Sequence, residues 1–236
     1  MTVSKALEAV IIMGPPGAGK GTQAQLLGEK LDFWHLESSK VLEEWFGNAD
    51  PGEFLVVEGK KYYAADEKKL WEDGILLSPP LVTRLIQEKI REIHGLAESV
   101  LTSGSPRTLY EAERIYPLLE ELYGAKNVRV ILLEVSEEES LVRNSHRRIC
   151  ELMRHPILYL KETLALAVCP LDGSKLVTRT LDNAETIKVR LGEYRERTYP
   201  ILKYLEEQGL RITKVNGSKT VEQVFKEVEA AVLARA

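Results

Sequence analysis

The chain has 236 residues, 44% of them hydrophobic and 29% charged, with a formal net charge of −4 at neutral pH. That length suits one large α/β domain or a core with small inserted lobes, and the acidic balance argues against a protein that grips nucleic-acid backbones by overall charge. No apolar run approaches a membrane span, and Met1-Thr2-Val3-Ser4-Lys5 lacks the apolar stretch of a secretion signal, so a cytoplasmic chain with no membrane partner is expected.

The first element is the apolar run Val10-Ile11-Ile12-Met13, which breaks into Gly14-Pro15-Pro16-Gly17-Ala18-Gly19-Lys20-Gly21-Thr22 before residues 23–30 continue at helical spacing. This order reads as strand, phosphate loop and helix. Glycines at 14, 17 and 19 let the backbone turn with no Cβ in the way, so amide N–H groups can face phosphate oxygens. The following helix adds its unpaired N-terminal N–H groups and the positive end of its dipole, and Lys20 supplies a mobile charge. One detail departs from the usual loop: Gly21 follows the lysine, and the hydroxyl comes one residue later, at Thr22.

Further strands are expected at 35–37, 100–102, 128–135 and 210–215, alternating with helical patterns. Such alternation implies a mostly parallel sheet with helices on both faces, binding ligands at the carboxyl ends of its strands. Residues 38–80 and 149–181 do not fit the alternation and read as inserted lobes. The first holds a helical stretch at 39–46, a turn at Asn48-Ala49-Asp50-Pro51-Gly52, an apolar run at 54–57 and a charged helix at 64–72. Pro79-Pro80 closes it, and an amphipathic helix at 81–94 leads back to the core.

After the third strand, Ser103-Gly104-Ser105-Pro106-Arg107-Thr108 puts an arginine at the mouth of the sheet. After the fourth, a Glu-rich helix start leads to Arg143, Arg147 and Arg148, and the spacing of the first two predicts a shared helix face. Arg179 and Arg190 flank the end of the second lobe. A single arginine is ordinarily a solvated surface charge, but this group lies where the topology puts the phosphate ends. The two cysteines, Cys150 and Cys169, are too few for a disulfide framework and leave a lone bridge, a metal site or two free thiols.

Over nearly its whole length the chain resembles the adenylate kinases and their relatives among nucleoside monophosphate kinases. The resemblance is carried by Gly14 to Ala24, including the glycine after the lysine, and by Gly104-Ser105-Pro106-Arg107-Thr108, similar to the family's Gly-Phe-Pro-Arg-Thr turn. Cys169-Pro170-Leu171-Asp172-Gly173 with Leu176-Val177-Thr178-Arg179 resembles the end of a long lid, and Glu185-Thr186 through Arg190-Leu191 the helix after it. It implies a P-loop NTPase core of α/β class with a five-stranded parallel sheet at 1–37, 81–148 and 182–236. A nucleoside-monophosphate lobe would occupy 38–80 and a lid 149–181.

The implied activity is reversible transfer of the γ-phosphoryl of ATP to a nucleoside monophosphate, AMP by default, with Mg2+, in a monomer. By matching position the catalytic residues are Lys20, Arg107, Arg147, Arg179 and Arg190. ATP would meet Gly17, Ala18, Gly19, Lys20, Gly21, Thr22, Arg143, Arg147 and Lys219. The acceptor would meet Ser38, Lys40, Glu43, Gly104, Arg107 and Glu111. Lid closure would exclude water, favouring transfer over hydrolysis.

The chain departs from the family on the acceptor and metal side. Ser103 replaces the acid that helps organise magnesium, with Glu134 and Thr22 the nearest substitutes and phosphates and water the other source of ligands. Glu43 stands where the family has an arginine for the acceptor phosphate, with Lys40 a helical turn away as replacement charge. Glu111 stands where a glutamine reads adenine. An ionised glutamate accepts but does not donate, which suits the amino group of cytosine or guanine. A kinase for CMP, UMP or GMP, or a weakly catalytic ATP-binding protein, is therefore the alternative. In the lid, Cys150, Cys169 and Asp172 stand where many bacterial relatives bind structural Zn2+, with His155 or His146 to complete a tetrahedron. The other reading is a metal-free lid packed through Met153, Ile157, Leu158 and Tyr159.

Overall fold

The computed structural model describes residues 6–50, 52–178 and 182–234. Its centre is β1 (Ala9–Met13), all five residues of which are buried. Alternate side chains leave a strand on opposite faces, so burial along the whole run requires cover on both sides. Ala9, Ile11 and Met13 join one core cluster, while Val10 and Ile12 join another.

Four more parallel strands flank β1: β2 (Phe33–Glu37), β5 (Ser99–Ser103), β6 (Val128–Glu134) and β10 (Ile212–Asn216), in the order β10-β6-β1-β5-β2. On one face lie α4 (Pro79–Gly95), α5 (Leu109–Tyr123) and α8 (Ile201–Glu207), presenting Ile86 and Ile90, Ile115 and Leu119, and Ile201 and Leu205. On the other, α1 (Lys20–Leu31) and α9 (Val221–Leu233) present Ala24, Leu27, Val224 and Val228. The five-stranded α/β core predicted from the alternation is thus present. Among the described residues no helix is long and apolar enough to cross a membrane.

Between β2 and β5 come α2 (Ser38–Asn48), β3 (Phe54–Val57), β4 (Lys60–Tyr63) and α3 (Ala64–Glu72). The β3–β4 hairpin is absent from the sequence reading, which took 54–57 as an isolated apolar run. Its two-residue turn, Glu58-Gly59, has φ of +52° and +78°. Two positive φ values match the twist of paired strands, and Asn-Gly is the usual signal, which Glu-Gly masks. Pro79 and Pro80 open α4 at its first positions, where a missing N–H costs nothing.

Between β6 and the last helices the chain forms α6 (Glu137–Ser145), a three-stranded antiparallel sheet of β7 (Arg148–Cys150), β8 (Pro156–Ile157) and β9 (Leu176–Val177), and α7 (Ala184–Glu193). Arg143 and Arg147 do not share a helix face, contrary to their spacing. The helix ends at Ser145, the Arg147 N–H bonds to the Asn144 carbonyl in a turn, and Arg148 already begins β7.

Candidate active site

The loop after β1 turns on Gly17 and Gly19, with φ of +80° and +90°. Lys20 opens α1, and its Nζ donates to the carbonyls of Gly14 and Pro15, both at 2.8 Å. That bond pair folds the side chain back over its own loop. The α6 helix clasps the loop from outside. Ser140 donates to the Pro16 carbonyl, and the Asn144 amide occupies the space a Cβ on Gly17 would need. Arg143 donates to the carbonyls of Gly17 at 3.4 Å and Gly217 at 2.9 Å, joining the loop to the turn after β10. Lys219, in that same turn, is ion-paired with Glu227 of α9. Gly21 is exposed and Thr22 half-buried at the start of α1.

Arg147 and Arg190 meet on one carboxylate here, and with Arg107 they lie within reach of the Lys20 charge. The Lys20 ammonium is held well below its ordinary pKa, first by burial and then by repulsion from Arg107, Arg190 and Arg147. Those arginines come from three separate parts of the chain. Asp182, which has no exposed side-chain surface, accepts from Arg147 Nε at 2.9 Å, Arg147 Nη2 at 2.6 Å and Arg190 Nη1 at 3.3 Å. Sequence reasoning missed Asp182. Its only local signal is an acid just ahead of the Asn183 helix cap, in a stretch otherwise marked by arginines. Repelling cations of this kind are relieved by a polyanion. Arg179 lies outside the described residues.

The turn after β5, with the start of α5, carries Gly104, Arg107 and Glu111, which the sequence assigns to the acceptor side. Ser38 donates to the Gly104 carbonyl at 2.7 Å. Gly104 has φ +89°, and a Cβ there would stand 2.6 Å from Ser38 Oγ and 2.8 Å from Arg107 Nη2. The Arg107 guanidinium therefore lies directly over Gly104, and only glycine permits it. Burial lowers the Arg107 pKa, opposed by Glu111 and Glu37.

Glu111, expected at the acceptor base, has its carboxylate engaged within its own turn. It is buried, with Oε2 accepting from Ser105 Oγ at 2.9 Å and the Arg107 N–H at 3.0 Å, and Oε1 from Thr108 Oγ1 at 3.0 Å. Burial raises its pKa against the pull of those bonds. Lys40 is exposed and pairs with Glu37 at 3.5 Å. Glu43 is engaged by Arg154, whose two terminal nitrogens lie 2.8 and 3.2 Å from its carboxylate oxygens.

At the end of β5, Ser103 Oγ pairs with His35 Nε2 at 2.7 Å. Burial lowers the His35 pKa. The carboxylates at neighbouring strand ends are Glu37, in register with Ser103, and Glu134 at the end of β6. With the Thr22 hydroxyl these are hard oxygen donors of the class that suits magnesium.

In the segment expected to be a lid, Cys150, His155, Cys169 and Asp172 form a cluster whose ligand atoms lie within 4.8 Å of one another. The Cys150 thiol donates to Asp172 at 3.0 Å, and both sulfurs lie 3.5 Å from His155 Nδ1. Two thiols, an imidazole and a carboxylate match a closed tetrahedral zinc set. His146 instead stacks on Tyr159 with ring centroids 4.1 Å apart. The apolar lid filling is contradicted: Met153, Leu158 and Tyr159 are exposed, and of that group only Ile157 is buried.

A phosphate loop at the carboxyl end of a parallel sheet, ringed by convergent arginines, defines a nucleotide-binding phosphoryl-transfer protein. The profile of the family described as Adenylate kinase matches residues 12–210. Adenylate kinase of Thermus thermophilus is 35% identical over 225 residues, covering 95% of this chain and 96% of that one. Those of Methanothrix thermoacetophila and Chlamydia abortus are 32% and 31% identical, covering 93% and 95% of this chain and 95% and 97% of their own. The chain belongs to the adenylate kinase family.

Proposed function

We propose that this protein catalyses ATP + AMP = 2 ADP, passing the γ-phosphoryl group directly between the two nucleotides. The observation that carries this reading is the phosphate loop with Lys20 folded over it and, acting on the same charge, Arg107 and the pair Arg147 and Arg190 gathered on Asp182. Direct phosphoryl transfer needs positioning and charge stabilisation rather than a covalent intermediate, and this cluster supplies both.

In this reading the loop amides and Lys20 hold the donor phosphates, while Arg143 brackets the donor end between loop and turn. Arg107 and Ser38 hold the acceptor phosphate beside Gly104. Arg147 and Arg190, oriented by Asp182, stabilise charge on the transferring group, with Arg179 assigned to the same task by its motif. Magnesium bound with ATP neutralises phosphate charge, and Thr22 with Glu134 or Glu37 would hold it or its waters. Cys150, His155, Cys169 and Asp172 would hold a structural zinc ion in the lid. We place the enzyme in the cytoplasm, where its nucleotides are, acting as a monomer.

The test is ADP formation from ATP and magnesium with AMP, CMP, UMP and GMP supplied separately. A dominant AMP rate is expected, and Lys20→Ala should lower kcat by about 10²–10³-fold. Equal or higher rates with another acceptor would overturn the assignment to AMP. Tight ATP binding without turnover of any acceptor would overturn the kinase reading.

A further inference from the structure

We propose that Glu111 is a positioning residue for the acceptor phosphate: its buried carboxylate sets the turn at 104–108 so that Arg107 faces the acceptor, and it takes no part in reading the base. The inference rests on the reading of Arg107 given above.

Both carboxylate oxygens are consumed within the turn, by donors from Ser105, Arg107 and Thr108. The Arg107 backbone is thereby held on both sides, its N–H by Glu111 at 3.0 Å and its carbonyl by the Thr198 hydroxyl at 2.8 Å. Ser38 pins the preceding carbonyl, that of Gly104, at 2.7 Å. With the backbone fixed at these points and the guanidinium lying against a bare Gly104, the place of the Arg107 charge follows from the turn. A buried carboxylate is costly unless its hydrogen bonds are made, and here they are made by the segment it orders. A base reader needs a polar edge facing the ligand, and Glu111 is only 2% exposed.

The test measures KM and kcat for AMP and for GMP in Glu111→Ala, Glu111→Gln, Ser105→Ala and Arg107→Ala, with thermal unfolding of each variant. In Glu111→Ala the acceptor KM should rise about tenfold by the same factor for both nucleotides, because a displaced phosphate contact is blind to the base. The KM for ATP should stay within about twofold. Glu111→Gln keeps a carbonyl for the Arg107 N–H and should restore both acceptors without changing their ratio. Ser105→Ala should move the acceptor KM in the same direction by less, and it decides the matter if Glu111→Ala fails to fold.

A tenfold change in the AMP-to-GMP ratio in Glu111→Gln would overturn the proposal in favour of base reading. So would unchanged acceptor constants in Glu111→Ala. If Arg107→Ala itself leaves the acceptor KM unchanged, the assignment of Arg107 falls, and this inference with it. If Arg107→Ala is crippled while Glu111→Ala and Ser105→Ala are normal, only the role of Glu111 falls.

Discussion

Asp182 shows how one side chain organises several others. It is fully buried and shared by two arginines that otherwise repel each other and Lys20. Removing one member of a buried ion pair costs about 3–5 kcal/mol. Here the arginine side chains are 24% and 19% exposed, and water takes up part of that loss. Asp182→Ala should therefore lower stability by roughly 1–3 kcal/mol. It should also lower kcat by about 10²-fold, since Arg147 and Arg190, proposed above to stabilise the transferring group, lose their orientation. Initial rates and thermal unfolding check this, and an unchanged kcat would show that the arginines are positioned without it. Gly104 makes the opposite point, that an absent side chain can matter as much. The contact between Arg107, Ser38 and the backbone exists because position 104 carries no Cβ and tolerates φ +89°.

At the scale of elements, the α2 helix and the segment after β7, the lid in the proposed reading, meet through Glu43 and Arg154. Arg154 has φ +59°, a conformation uncommon for a residue with a long side chain. Both partners are partly exposed, so the pair is worth about 0.2–1 kcal/mol and is screened by salt. Arg154→Gln should shift the lid toward open forms by about 1.5-fold to 5-fold, read as a longer distance between fluorophores on lid and lobe. Exchanging the two charges in Glu43→Arg with Arg154→Glu should restore the parent distance. The zinc assignment is tested on the same segment. The protein should carry one zinc per chain and lose it in Cys150→Ser. Chelation should lower Tm by about 5 °C, the shift expected from roughly 2 kcal/mol in a chain of this size. Protein that binds no zinc and is unmoved by chelators would refute it.

At the scale of the whole molecule, the monomer proposed above predicts that light scattering gives the mass of a single chain, and a dimer would contradict that proposal. The sheet, its covering helices and the phosphate loop were legible in the sequence because their signals are local. Apolar runs, helical spacing and glycines ahead of a lysine each act over a few residues. The arginines were legible as a group at the phosphate ends through topology and motif resemblance, but the carboxylate of Asp182 that holds Arg147 and Arg190 was not. The Glu58-Gly59 hairpin escaped because its turn residues are atypical for the backbone they adopt. Which way Glu111 points, what Glu43 pairs with and how Asp182 bridges two arginines were decided only by tertiary structure. Glu43 and Arg154 are 111 residues apart, and Arg147 and Asp182 are 35 apart. No local pattern encodes such pairs. The sequence by itself determined the elements and the chemistry available at their ends, and packing of those elements decided which charges face one another, because a side chain's direction follows from the neighbours that enclose it.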